Sequence, residues 1–301
     1  MRLLIAGWHG QIAHALVELA AKDPSITALS VGRPALDLCT PSSIRSTFIA
    51  AQPDVMINTA AYTAVDEAES NPAAAFDLNC KGAAVFAELA RRNDTPIIHL
   101  SSDYVFDGTK KGPYTEADET SPQTVYGRSK LEGEGAVAAA NPMHLILRTS
   151  WVFSPFGRNF VTNLLARARE RNRIEVVGDQ RGCPTYALDF ARVILELASR
   201  IAGERQAVAW GTYHAAGTGG ASWYEVAQKA LEISRARGGP DAELAAIKAK
   251  DYATKAPRLA NACLDSSKLE NAFGIRMRAW QEGLADCVER LVEAGPAPDA
   301  G

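Results

Sequence analysis

Arg2-Leu3-Leu4-Ile5-Ala6-Gly7-Trp8-His9-Gly10-Gln11-Ile12-Ala13 begins as a short apolar run, breaks at small residues and resumes at helical spacing. Arg2 to Ala6 is too short for a helix, and an unbroken apolar run ended by glycine suits a strand buried on both faces. Ile12, Leu16 and Leu19 then recur at about 3.6 residues, which predicts a helix. The junction has the spacing G-x-x-G-x-x-A. Small residues fall at the tight turn, at the closest backbone approach and at the helix–strand contact. With Gly7 and Gly10 clearing the space, the first helical turn can offer its N–H groups and dipole to a pyrophosphate. The bland alternative is an ordinary strand–helix turn.

Outward from that junction the alternation continues. Ile26 to Val31, Val55 to Ile57, Ile97 to Leu100 and Leu145 to Leu147 are further strand-length runs, several rich in Val and Ile. Ala83, Phe86, Ala87 and Ala90 carry helical spacing between two of them. Pro41-Ser42-Ser43 suits a helix start, Asn71-Pro72 begins a long helix leading to Arg92, and Asn141-Pro142 closes another. Strands alternating with helices predict an α/β fold, a doubly wound parallel sheet. After about residue 150 the pattern loosens, although helices remain readable at Leu188 to Arg200, Ser222 to Arg235 and Gln281 to Glu293. The expected division is a dinucleotide-binding domain over 1–150 and a smaller C-terminal substrate lobe over 151–294, with some segments returning to the sheet. The Pro- and Gly-rich tail, 295–301, reads as disordered.

Composition narrows the functional classes. The chain has 301 residues, 47% of them apolar, and a formal net charge of −3, so a basic nucleic-acid footprint is not expected. No apolar run approaches the roughly 18 residues of a membrane span, and the N-terminus lacks a signal-peptide pattern. Cys39, Cys80, Cys183, Cys263 and Cys287 are scattered and odd in number, which reads as reduced packing thiols. His9, His14, His99, His144 and His214 share no metal-ligand spacing, and no metal is expected. A cytoplasmic protein is the expectation.

Chemistry concentrates where the strands end. Ser30-Val31-Gly32-Arg33 closes the second strand with no acidic residue for a ribose diol, and Arg33 suits a 2′-phosphate, which favours NADP over NAD unless Arg33 is only a solvated charge. Asp37-Leu38 is placed to border an adenine. Asn58-Thr59-Ala60-Ala61-Tyr62-Thr63 follows the third strand with small residues where a dinucleotide would pass. Ser101-Ser102-Asp103 follows the fourth. Tyr126 and Lys130 then fall at i, i+4 on one helix face, where the ammonium is expected to lower the phenol's pKa and make it a proton relay. A hydroxyl at Ser102 with that pair describes a carbonyl-reducing site: Ser102 and Tyr126 serve the carbonyl oxygen, and Lys130 holds the nicotinamide ribose.

These segments resemble the extended short-chain dehydrogenase/reductases of Rossmann fold, and within them the dTDP-4-dehydrorhamnose reductase family. The matching stretches are Gly7 to Gln11, NTAAYTAVDEAE (58–69), SSDYVFDG (101–108), SPQTVYGRSK (121–130), RTSWVF (148–153) and GDQRGCPT (178–185). The resemblance implies NADPH (NADH is possible) and a nucleotide-sugar substrate whose C4 ketone is reduced. It implies cofactor contacts at Gly10, Gln11, Ile12, Asp37, Leu38, Ala61, Tyr62, Thr63 and Lys130. It implies substrate contacts at Ser102, Asp103, Tyr126 and Trp151. Trp151 has core packing as its alternative, and Asp103 has loop capping. The match thins later, at Arg258-Leu259-Ala260-Asn261-Ala262-Cys263-Leu264-Asp265, where Arg258 either faces a diphosphate or is a surface charge. Some family members dimerise around a metal held by a first-helix glutamate; the aligned residue is Ala15, so a monomer or a homodimer without that metal is expected. Two other activities stay open, a sister reductase of opposite C4 stereochemistry and a non-catalytic NADP-binding regulatory subunit.

Overall fold

The computed structural model describes residues 1–295, so the tail read as disordered lies, past Gly295, outside the described residues. Six strands form the main sheet: β1 (Arg2–Ala6), β2 (Thr27–Val31), β3 (Val55–Asn58), β4 (Ile97–Ser102), β5 (His144–Thr149) and β6 (Gly211–His214). Their spatial order is β6-β5-β4-β3-β1-β2, and every neighbouring pair is parallel. From β1 the chain goes to β2 on one side, then returns to β3 on the other. That reversal is a topological switch point, and it opens a crevice beyond the carboxyl ends of β1 and β3.

Period-two alternation sends residues of one strand into two separate cores. Leu3 and Ile5 pack with α1 (Gln11–Ala20) and with α7 (Ala187–Gly203) on one face. Leu4 and Ala6 pack on the other with Ile44 and Phe48 of α2 (Pro41–Ala51) and Phe86 of α4 (Ala83–Arg92). With both faces covered, β1 and β3 have almost no polar side to show, which is why they read as continuous apolar runs. β6, for which the sequence pattern named no strand, lies beside β5 with Gly211 opposite Leu145.

One expectation needs correction. The helix from Pro72 to Arg92 is not continuous α: Pro72–Phe76 passes through a π-helical turn, Asp77–Gly82, before α4. Asn79 inside that turn accepts the Tyr62 N–H at 2.7 Å and donates to the Tyr62 carbonyl at 3.2 Å and to Ser129 Oγ at 2.9 Å. The widened turn aims this buried amide at the loop after β3, as such turns often do beside a site.

The later residues build a lobe over the crevice. Arg181–Gly182 pairs antiparallel with Ala221–Ser222 and parallel with Asn261–Ala262. Arg173–Val177 pairs with Glu243–Ile247, and Val152–Phe153 pairs with Thr185–Tyr186. The longer helices of this half are α6 (Phe160–Glu170), α8 (Trp223–Ala236) and α9 (Trp280–Glu293), besides α7, with a short helix at Ser267–Phe273. All five cysteines are free. Among the described residues, no helix is long and apolar enough to cross a membrane.

Candidate active site

A cleft of about 1040 Å³ lies between the sheet's carboxyl edge and the lobe. The phosphate loop forms one end. Gly7 takes φ +112°, and a β-carbon there would lie 2.6 Å from Thr59 Oγ1, so this turn requires glycine twice over. At Gly10 a β-carbon would meet nothing within 4 Å. Gly10 opens α1 without a side-chain cap, leaving the first-turn N–H groups for a ligand. Gln11 is held by its amide, which donates to the Val152 carbonyl at 3.4 Å and accepts from Ser154 Oγ at 2.7 Å. On the cleft floor the buried hydroxyls of Ser101 and Thr149 have no hydrogen-bond partner. An anion-ready helix start and unpaired floor hydroxyls fit an elongated, polar, phosphate-bearing cofactor.

Ser102 ends β4, and Tyr126 and Lys130 stand on α5 (Val125–Ala140). Thr124 caps that helix by accepting the Gly127 N–H at 2.9 Å, which fixes where the Tyr126 turn begins. Lys130 is buried, and its ammonium donates to the Leu100 carbonyl at 2.6 Å. Burial pushes it down to about 8, opposed by the Glu134 charge. The expected lowering of the Tyr126 phenol does not occur. Burial pushes it up to about 12, against a lowering contact with the Ser102 hydroxyl, and the Asp103 charge adds to the rise. The desolvation cost of a buried phenolate is the dominant cause. Tyr126 therefore holds its proton at neutral pH.

Asp103 does more than cap a loop. It is 3% exposed, and its Oδ1 accepts the Ser102 hydroxyl at 2.6 Å while Oδ2 accepts Ser150 Oγ at 2.9 Å. Burial raises its pKa to about 6, with both hydroxyls holding it back.

Of the residues singled out above, Gly10, Gln11, Ile12, Ala61, Thr63, Ser102, Asp103, Tyr126, Lys130 and Trp151 line this one cleft. Gly7, Arg33, Asp37, Leu38, Ala60 and Tyr62 do not. Gly7 lies beneath the turn, and Arg33 is exposed beyond the end of β2. Asp37 spends its Oδ1 on the Cys39 N–H, and the Leu38 side chain is buried in the α2 core. Tyr62 packs beside Val125 and Tyr126 with its backbone tied to Asn79, and Ala60 packs against the other core cluster. Arg258 is on the cleft wall, where its guanidinium pairs with Asp66 of α3 (Val65–Ser70). Sequence reasoning missed Asn79, Ser150, Asp66 and Trp223. Only Asn79 left a signal, a polar residue on the inner face of a helix.

Comparison with known proteins decides the family. The family model described as RmlD substrate binding domain matches residues 1–293. A dTDP-4-dehydrorhamnose reductase of Sinorhizobium fredii is 45% identical, over 98% of this chain and 99% of that protein. The chain belongs to the dTDP-4-dehydrorhamnose reductase family.

Solved structures of that family superpose closely. The reductase of Clostridium acetobutylicum gives a TM-score of 0.88 at 32% identity, covering 97% of this chain and 99% of its own. The Bacillus anthracis reductase, solved in complex with NADP, gives 0.87 at 30% identity, covering 95% and 98%. Ala15 is fully buried in α1. Among the described residues no group of three His, Cys, Asp or Glu side chains is arranged to hold a metal ion.

Proposed function

We propose that this chain reduces the C4 ketone of dTDP-4-dehydro-L-rhamnose to dTDP-L-rhamnose, with NADPH as the reductant. The observation that carries the reading is the meeting of Ser102, Asp103, Tyr126 and Lys130 in the cleft that also receives the α1 N-terminus. Residues 1–150 would hold the cofactor, with Gly10, Gln11 and Ile12 at its phosphates and Lys130 at its ribose, and residues 151–294 mainly the sugar nucleotide. When bound, the reduced nicotinamide supplies the hydride. Ser102 Oγ donates to the carbonyl oxygen and aligns it. Tyr126, protonated at neutral pH, gives its phenolic proton to that oxygen as negative charge develops there. The Lys130 ammonium, anchored on the Leu100 carbonyl, compensates the phenolate left behind.

The test is loss of NADPH absorbance with enzymatically generated dTDP-4-dehydro-L-rhamnose, wild type beside Tyr126→Phe, with the product sugar identified by chromatography. Removing a general acid of this kind is expected to lower kcat by about 10²–10⁴-fold with NADPH binding retained. A 6-deoxy-talose product would keep the site and reverse the seating of the sugar. Tight NADPH binding without turnover of this or related keto-sugars would point to a regulatory subunit instead.

A further inference from the structure

Trp151 is held in an unusual way. Its φ is +47°, in the left-handed region that bulky side chains rarely occupy, and such a conformation persists where the surroundings over-determine it. Two neighbours do so. The Trp223 ring stacks on Trp151 with centroids 3.5 Å apart and planes 6° from parallel. At Gly182 a β-carbon would lie 2.3 Å from Trp151 Cε2 and 2.5 Å from Cδ2. No left-handed φ demands glycine at that position, so what a side chain would hit is the indole itself.

Both neighbours belong to one small frame. Gly182 is in register with Ala221 on one side and Ala262 on the other, and Trp223 begins α8 directly after Ser222. A capping box sets that helix start: Ser222 Oγ accepts the Glu225 N–H at 3.1 Å, and Glu225 accepts the Ser222 N–H at 2.6 Å. Glu225 also pairs with Arg181 at 3.2 Å, beside Gly182. Phe160 braces the Trp223 ring, centroids 4.5 Å apart. The stack is not sunk in a core. Trp151, Trp223 and Phe160 all line the cleft that holds Ser102 and Tyr126.

We propose that Trp223 and Gly182 are positioning residues that fix the Trp151 indole as a wall of the sugar seat and thereby decide which face of the ketone is reduced. This rests on the activity proposed above. Ser102 and Tyr126 act from fixed points on β4 and α5, so the configuration produced at C4 follows from how the sugar ring is turned toward them. A rigid aromatic wall sets that turn through ring packing, with little entropy left to lose on binding.

The experiment compares wild type, Trp223→Ala, Trp223→Phe and Gly182→Ala. It reads kcat, KM for the keto-sugar, NADPH affinity, the C4 epimers formed, and equilibrium binding of dTDP-L-rhamnose. Trp223→Ala is expected to raise KM about three- to tenfold, the fold-change that losing an aromatic pair converts to, and to release a second C4 epimer while NADPH affinity is unchanged. Trp223→Phe restores most of both. Gly182→Ala shifts KM and the epimer ratio in the same direction by displacing the indole. An unchanged KM and a single epimer in Trp223→Ala overturn the proposal. So does a defect that extends to NADPH affinity and is not rescued by phenylalanine, which is the mark of general destabilisation. If wild type does not reduce the keto-sugar, the activity reading falls separately. The wall is then judged by dTDP-L-rhamnose binding alone, weakened in Trp223→Ala if it stands and equal to wild type if it does not.

Discussion

Asp103 is a carboxylate buried against two serine hydroxyls, and its protonation state sets what Ser102 can do. Ionised, it takes the Ser102 proton in a 2.6 Å hydrogen bond. Protonated, it can donate to Ser102 Oγ and leave the serine O–H free for a substrate carbonyl. Reductive kcat/KM is therefore expected to rise as pH falls through about 6, and Asp103→Asn to flatten that limb, as a pH–rate profile would show. Stability follows the same proton. Because the folded pKa is raised to about 6 from 3.8, the folded state binds the proton more tightly than the unfolded chain. The resulting stabilisation is full below 3.8 and is lost as pH rises through 6. A shift of this size corresponds to on the order of 3 kcal/mol. Melting curves should show Asp103→Asn gaining on wild type across that interval; a constant gap would mean the carboxyl titrates as in water.

At the scale of elements, α5 carries Tyr126 and Lys130 and must hold its register against β5. Arg148 of β5 donates from Nε at 2.9 Å and Nη2 at 2.6 Å to the two carboxylate oxygens of Glu134, with side chains only 7% and 6% exposed. Breaking such a pair strands a buried charge. Arg148→Met is expected to cost about 3–5 kcal/mol in denaturant unfolding, and adding Glu134→Gln to recover part of it. A loss below 1 kcal/mol would show the pair to be solvated. The same scale explains what the chain reveals in one dimension. β1 and β3 were legible because strands covered on both faces leave unbroken apolar runs. Tyr126 and Lys130 were legible because four residues is one helical turn. β6 was not: Gly211-Thr212-Tyr213-His214 is a short edge strand with mixed polarity. Ser150, Asp66 and Trp223 were not, since only tertiary packing gives them partners. The phenol's pKa was misjudged because spacing records a nearby charge and says nothing of burial.

Across the whole molecule, the stretch 249–259 contributes to the cleft lining and is tied to α3. Asp66 accepts the Ala256 N–H at 2.8 Å and the Arg258 guanidinium, while Lys255 reaches Ser70. Burial would raise the Asp66 pKa, but the Ala256 N–H and Arg258 together hold it below the usual carboxylate range. The pair is partly exposed, so Asp66→Asn is expected to cost under about 1 kcal/mol. Limited proteolysis within 249–259 should nevertheless accelerate severalfold, because those contacts hold the stretch to α3; an unchanged cleavage rate would place the hold elsewhere. A different consequence follows from β6, which supplies the sheet's last position from residues 211–214, long after β5 ends at Thr149. Translation delivers these strands in order of sequence, so a growing chain presents β5 with its outer ladder groups unpaired until residue 214 has left the ribosome. The face that α7 covers stays bare until residue 203 has emerged, shortly before β6. An open parallel edge beside an uncovered apolar face is an invitation to wrong partners. The interval between the fifth and sixth strands is thus the point in this protein's synthesis at which chaperone protection counts most.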